Sequence, residues 1–195
     1  RWMPRDTEVR DWPATDRQRL AGRMERIRTM SERELKRARF AGEGGGQRFA
    51  PQRDIPELVD ALTQIHRDRH LDISLATLPE GTLPFDHEDM LELLGNLLDN
   101  ACKWANGRVH LQLSVQADKL HITVADDGPG VPEADRDELL HRGARLDEQE
   151  SGHGLGLAIV NDLVGDHGGS LDLQRSAGLG GLEVRVVLPL PAHGV

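Results

Sequence analysis

Two neighbouring segments in which apolar and polar residues alternate constrain the fold most strongly. Residues 109–115 and 120–125 alternate at a period of two, which is typical of strands with one buried face. Only residues 116–119 separate them. Because so short a link joins antiparallel neighbours, it favours a sheet with hairpins over a doubly wound parallel sheet.

The remaining segments predict helices interleaved with these strands. We expect short strands over 47–50 and 71–75, and a second hairpin formed by 170–173 and 182–188. Helices are expected over 56–68, 87–105 and 154–166, with Asp86 capping the second. The predicted fold is a two-layer α/β (α+β) sandwich with a mixed, mostly antiparallel sheet and helices on one face. Residues 126–153 are polar and glycine-rich, and predict a long loop.

The first part of the chain differs from the rest in charge and pattern. Residues 14–41 favour a helix with a thin apolar stripe, suited to one seam of a helical bundle or to a charged surface helix. Residues 43–46 then predict a glycine-rich hinge between a segment over 1–42 and a domain over 47–195. Net charge is +5 before residue 43 and −14 after it. Because residues 43–195 carry a net negative charge and only 3% of the chain is aromatic, we do not expect nucleic acid as a partner.

Membrane contact by this chain is not expected, because no apolar run is long enough to span a bilayer. The single cysteine, Cys102, excludes an internal disulfide and is expected to be a small buried side chain.

Polar and glycine residues with chemical potential cluster in four segments. Asn96, Asn100 and Lys103 recur at helical spacing on one face, where amides and an ammonium can hold a hydrated cation and a phosphate. Asp126 ends a strand before Gly128 and Gly130, and can accept a hydrogen bond from an exocyclic amine. The third segment, 152–157, offers free amides at a helix start, and the fourth is the glycine turn at 178–181. Taken alone, each segment is more typical of a solvated face or an ordinary turn than of a binding site.

Their order and spacing are more specific. Asn100, Asp126 and Gly152 follow one another at intervals of 26 residues. This arrangement resembles the N, G1, G2 and G3 boxes of the histidine-kinase ATP-binding domain, a member of the GHKL (Bergerat-fold) ATPase superfamily. The resemblance covers about residues 47–190. The sequence around Asn100 is similar to that of the PhoQ-like sensor kinases.

The resemblance implies a role for each matching position. Asn100 would be the Mg²⁺ ligand, with Asn96 beside it and Lys103 near the phosphates of ATP. Asp126 would read adenine. Further nucleotide-binding positions implied by the resemblance are Trp104, Gly128, Gly130, Arg142 and Arg145 in a lid over 131–153, and the phosphate-cradling Gly152, His153, Gly154, Leu155, Gly156 and Leu157.

The family resemblance also implies an activity and partners. A kinase of this type transfers the γ-phosphoryl group of Mg·ATP to a histidine and then to a response-regulator receiver domain. It forms a homodimer through a helical hairpin, of which 1–42 would supply the second helix. We therefore expect the cytoplasmic part of a membrane-anchored sensor. Two alternatives are a GHKL-type ATPase, which carries a glutamate where Asn96 stands, and a nucleotide-binding interaction module without catalysis.

The chain departs from the family pattern in two places. No histidine is followed by an acidic residue and then proline, as in the phosphoacceptor box, and His87 is interpreted as a surface residue at a helix start. The acceptor is expected upstream of residue 1. A leucine pair at 139–140 stands where the family lid has phenylalanine.

Overall fold

The computed structural model describes residues 47–141 and 155–191. Within them the chain forms seven strands and four helices. The strands are β1 (Arg48–Phe49), β2 (Asp72–Leu75), β3 (Leu83–Asp86), β4 (Arg108–Gln116), β5 (Lys119–Asp126), β6 (Ser170–Arg175) and β7 (Leu182–Pro189). The helices are α1 (Pro51–Ile65), α2 (His87–Trp104), α3 (Glu133–His141) and α4 (Leu155–Asp166), and a 3₁₀ turn covers Arg67–Arg69.

Five strands form the main sheet in the order β2-β4-β5-β7-β6. The β4–β5 and β6–β7 pairs are antiparallel hairpins and β5 is antiparallel to β7, whereas β2 runs parallel to β4. β1 and β3 form a separate antiparallel pair. The predicted mixed, mostly antiparallel sheet is confirmed.

Helix α2 provides the centre of the core. Asp86 caps it, because its Oδ1 accepts hydrogen bonds from the amides of Glu88 (2.9 Å) and Asp89 (3.2 Å). The buried leucines of α2 share one cluster with the inward-facing residues of β4, β5 and β7, including Val109, Ile122 and Val186. The helices therefore cover one face of the sheet, as predicted, and Cys102 lies buried among them.

The structure corrects several element boundaries. α1 begins at Pro51 rather than at residue 56, because Pro51 occupies the first turn, where no amide hydrogen is needed, and Pro56 is accommodated inside the helix. β3 was not predicted, since it is only four residues long and contains Pro84, which an edge pair tolerates. On α2, Leu93 is buried in the core and Leu91 is half-buried.

The segment over 126–153 was predicted to be a loop, but it contains α3. That helix has weak amphipathic periodicity, because seven of its nine residues are charged, alanine or histidine. Partly buried Val131 and Leu139 pack against the core and anchor this region. Leucine thus serves as an apolar anchor at position 139, where the family pattern has phenylalanine.

The predicted helix over 14–41 and the hinge over 43–46 lie outside the described residues, so both stay predictions. Among the residues that the structure describes, no helix has the length and hydropathy needed to cross a membrane.

Candidate functional site

Asp126 is the most constrained polar residue of the candidate site. It ends β5, is 2% exposed, and its Oδ1 accepts hydrogen bonds from the amides of Gly128 (2.8 Å) and Leu182 (3.2 Å). Its backbone oxygen accepts from the amide of Gly181 (3.1 Å). Within the described part of the chain, no residue pairs with the second oxygen, Oδ2. One oxygen therefore fixes the side chain, and the other is available to a donor on a ligand.

The surroundings of Asp126 also determine its charge. Burial raises the pKa of the Asp126 carboxyl group, and the negative charge of Asp127 adds to that rise. The amide donors of Gly128 and Leu182 oppose it by stabilising the ionised form. Because a carboxylate must be ionised to accept a hydrogen bond at both oxygens, these donors support its role as an acceptor.

Three glycines allow close backbone approaches around this carboxylate. A Cβ on Gly181 would lie 2.2 Å from Asp126 Oδ1, and a Cβ on Gly128 would lie 2.3 Å from the carbonyl oxygen of Trp104. Gly130 has φ of +72°, a conformation that favours glycine, and its Cβ position lies 3.3 Å from Gly181. The glycine turn at 178–181 therefore packs directly on Asp126, a contact that its sequence did not reveal.

The polar face of α2 approaches the start of α4. Asn96 and Asn100 are half-buried, and Asn96 Nδ2 donates to the carbonyl oxygen of Glu92 (2.7 Å). Asn96 Oδ1 lies 3.3 Å from the Cβ position of Gly156. Leu157, the next residue, is buried in the core, so only its backbone can face a ligand. The structure thus brings the α2 face and the described part of the 152–157 segment together.

Lys103 and Trp104 occupy the last turn of α2. Lys103 Nζ pairs with Asp99 Oδ2 (2.6 Å), and Asp99 Oδ1 also lies 2.9 Å from His66 Nε2. Partial burial alone would raise the pKa of Asp99, but these two partners outweigh burial and lower the pKa. The side chain of Trp104 is 46% exposed. Lys103 is therefore held by a carboxylate that the sequence analysis did not assign to the site.

Arg142, Arg145, Gly152, His153 and Gly154 lie outside the described residues. Leu155 begins α4. The nucleotide-binding roles that the resemblance implies for all six residues stay predictions.

Asp127 fixes the turn that follows α2. Its Oδ1 accepts hydrogen bonds from the amides of Asn106 (2.8 Å), Gly107 (3.0 Å) and Arg108 (3.0 Å). Burial alone would raise the pKa of the Asp127 carboxyl group. These donors and the Arg108 side chain outweigh burial and lower the pKa to about 2. The turn between α2 and β4 is thereby joined to the loop after Asp126.

A cavity formed by the described residues lies on the sheet, away from the polar residues of α2. It has a volume of about 370 Å³ and is lined from the outward-facing side of the sheet, by Ser74, His110, Thr123 and Arg185 among others. Gly178 and Leu179 of the predicted glycine turn also line it, whereas Asp126 and the polar residues of α2 do not.

The fold and this site define a class of ATP-binding domain. Residues 85–192 match the family described as histidine kinase-, DNA gyrase B- and HSP90-like ATPases. The match covers more than half of the chain, which therefore belongs to this family. The superfamily predicted from the motif spacing is confirmed.

Individual relatives are sensor kinases. The chain is 47% identical over 176 residues to the sensor protein kinase CarS of Pseudomonas aeruginosa, covering 90% of this chain and 39% of CarS. It is 35% identical over 170 residues to the two-component sensor PhoQ of the same organism, covering 86% of this chain and 37% of PhoQ. The chain thus spans about two-fifths of the length of these relatives.

Solved structures agree with the fold. The mycobacterial sensor histidine kinase MprB has a TM-score of 0.57 at 30% identity, covering 70% of this chain and 94% of the MprB chain. The catalytic domain of the histidine kinase ThkA has a TM-score of 0.62 at 22% identity, covering 74% of this chain and 96% of that one. The predicted two-layer sandwich is the fold of these catalytic domains.

We expect Gly181→Ala to separate the 178–181 turn from Asp126, because the added methyl group would overlap the carboxylate. ATP affinity, measured by calorimetry, should fall by about tenfold or more. Gly178→Ala is the matched control, since a Cβ at Gly178 meets nothing within 4 Å. Equal affinity of the two variants would contradict the role of this close contact.

Asp127 should make stability depend on pH. Its pKa in the folded state, about 2, lies below the ordinary value of 3.8, so its contribution is present above pH 4 and is lost as the pH falls towards 2. Asp127→Asn should lower the free energy of unfolding at pH 7 by about 1–2 kcal/mol. Urea denaturation at pH 7 and pH 3 should show this difference shrinking at the lower pH. The same difference at both pH values would refute the assignment, and Asp172→Asn on β6 is the exposed control.

Proposed function

We propose that the chain is the ATP-binding catalytic part of a two-component sensor histidine kinase. It transfers the γ-phosphoryl group of ATP to a histidine, from which the group passes to an aspartate of a response-regulator receiver domain. The observation that carries the proposal is the buried Asp126 carboxylate, whose Oδ1 accepts from two backbone amides while no described residue pairs with Oδ2. The similarity to CarS supports the kinase class.

Asp126 would select adenine. A carboxylate oxygen accepts a hydrogen bond from the exocyclic amine of adenine, whereas guanine presents an oxygen at the equivalent position. Glycine at positions 128 and 181 lets the backbone pack closely against Trp104 and Asp126, where a side chain would overlap them. Trp104, half-exposed at the end of α2, would pack against the nucleotide.

Asn100 would hold Mg²⁺. Its half-buried side chain forms no hydrogen bond with the residues that the structure describes, so its amide oxygen is available as a hard ligand. No group of three or more acidic, histidine or cysteine side chains capable of holding a metal occurs among the described residues. A single amide fits Mg²⁺ that takes its other ligands from phosphates and water, and the bound ion neutralises phosphate charge.

Lys103 would support the phosphates after changing partner. Its ammonium group now pairs with Asp99, and His66 remains as a second partner of that carboxylate. Lys103 can therefore turn to a phosphate without leaving Asp99 unpaired. Arg142, Arg145 and the glycine segment 152–156 would complete the phosphate site. Such a site promotes transfer mainly by positioning and charge neutralisation.

ATP hydrolysis is the second candidate function, because the family includes DNA gyrase B- and HSP90-like ATPases. Those ATPases resemble this domain but place a glutamate at the position of Asn96. The Asn96 amide donates to the Glu92 carbonyl oxygen and cannot take a proton from water. This side chain favours transfer to a histidine over hydrolysis.

The wider assembly is also part of the proposal. The whole protein would be a membrane-anchored sensor whose cytoplasmic part forms a homodimer through a helical hairpin that includes residues 1–42. The receiver domain of a response regulator would be its partner. Similarity to the two-component sensor PhoQ supports the assignment of a response-regulator partner.

Base selectivity tests the adenine assignment. The chain should bind ATP more tightly than GTP, and Asp126→Asn should weaken ATP binding by about tenfold while reducing the preference between the bases. Asp118→Asn, at the exposed β4–β5 turn, is the control. Equal affinity for ATP and GTP in the unaltered chain would count against Asp126 as the base-reading residue.

Phosphoryl transfer tests the kinase assignment. A longer chain that includes the phosphoacceptor histidine should acquire acid-labile, base-stable label from γ-labelled ATP and Mg²⁺. Asn100→Ala in that chain should abolish most of the labelling, whereas Gln112→Ala, on the opposite face of the sheet, should not. The present chain should bind ATP without becoming labelled, because none of its nine histidines lies in an acceptor box. Label on this chain, or phosphate release at the rate of a clamp ATPase, would overturn the proposal.

A further inference from the structure

Arg69 binds the end of α2 from outside the nucleotide site. It lies in the 3₁₀ turn after α1, and its guanidinium group donates to three carbonyl oxygens: those of Cys102 (3.0 Å), Lys103 and Ala105 (2.7 Å). The last carbonyls of a helix lack partners within the helix and carry its negative partial charge. A planar, permanently charged guanidinium satisfies several of them at once.

Asp127 binds the backbone amides of the turn that follows α2. Arg69 takes carbonyl oxygens at positions 102, 103 and 105, and Asp127 takes the N–H groups at 106, 107 and 108. The carbonyl of Trp104, which belongs to the same stretch as the carbonyls bound by Arg69, lies against Gly128. The turn after α2 is therefore fixed from two sides, by one cation and one anion.

This turn connects the two halves of the proposed nucleotide site. Asp126 and Gly128, on the sheet, form the half that would bind adenine. Asn100 and Lys103, in the last two turns of α2, form the half that would bind Mg²⁺ and phosphates. The carbonyls that Arg69 holds belong to the same two turns of α2.

We infer that Arg69 is a positioning residue that fixes the phosphate-facing end of α2 relative to the adenine-binding carboxylate. The inference rests on the proposed function. Arg69 would therefore increase the part of the ATP affinity that comes from the phosphates. Adenine binding would not depend on Arg69, because Asp126 is held by its own contacts with Gly128, Gly181 and Leu182.

The experiment compares ATP with adenosine. Calorimetry on the present chain with Mg²⁺ gives the ratio of their affinities, which measures the contribution of the phosphates. In Arg69→Ala this ratio should fall by about tenfold, while adenosine affinity changes less than about twofold. Arg69 is an exposed residue, so its truncation leaves no cavity in the core.

Two further variants make the comparison specific. Arg69→Lys keeps the charge but loses the planar set of donors, and should give an intermediate ratio. It also carries the test if Arg69→Ala does not fold. Arg67→Ala is the matched control, because Arg67 lies in the same turn, is exposed, and contacts only the neighbouring Asp68 among its described ion pairs. It should leave the ratio unchanged.

Two results would overturn the inference. An unchanged ratio in both Arg69 variants would show that the end of α2 needs no such support. Equal weakening of ATP and adenosine would show that Arg69 stabilises the whole domain. Failure of the proposed function is distinguishable, since the unaltered chain would then bind neither ligand, or would bind them equally.

Discussion

The burial of one carboxylate at the end of β5 links the sheet to the loops that form the site. Asp126 is removed from water, which destabilises its charge, so its position requires donors from the backbone. Gly128 supplies one from the same loop and Leu182 another from β7, while Gly181 donates to its carbonyl. Because an added side chain at Gly181 would overlap the carboxylate, this arrangement requires glycine there. The residue proposed to bind adenine and the pairing of β5 with β7 are therefore stabilised by the same contacts.

A second pair of contacts fixes the end of α2. Asp127, next to Asp126, binds three consecutive amides after the helix, and Arg69 binds the carbonyls before them. Charged groups thus bind the end of the helix in addition to the apolar packing of Ala101, Cys102 and Ala105. Such contacts depend on direction, because each donor faces one acceptor. The apolar side of α2 determines that the helix lies on the sheet, and the charged contacts determine how its last turn is oriented.

Local patterns predicted most of the fold, because strand alternation and the leucine periodicity of α2 depend on neighbours in sequence. They did not predict β3, which is short and contains Pro84, or α3, whose residues form little apolar periodicity. In the site, the order and spacing of the motifs led to the resemblance that assigns Asn100 and Asp126, and both assignments stay predictions. Spacing did not predict Arg69, which binds residues 33 to 36 positions away, or the contact between Leu182 and Asp126 across 56 positions. Periodicity carries no information about pairs at such separations.

The pairing of Lys103 illustrates what a nucleotide-binding face requires in the absence of phosphate. A lysine positioned for a phosphate would otherwise leave its charge beside the partly buried end of α2. Asp99, one turn earlier, neutralises it, and His66 gives Asp99 a second partner. Under the proposed function, transfer of Lys103 to a phosphate would exchange one anionic partner for another, and His66 would remain as a partner of Asp99.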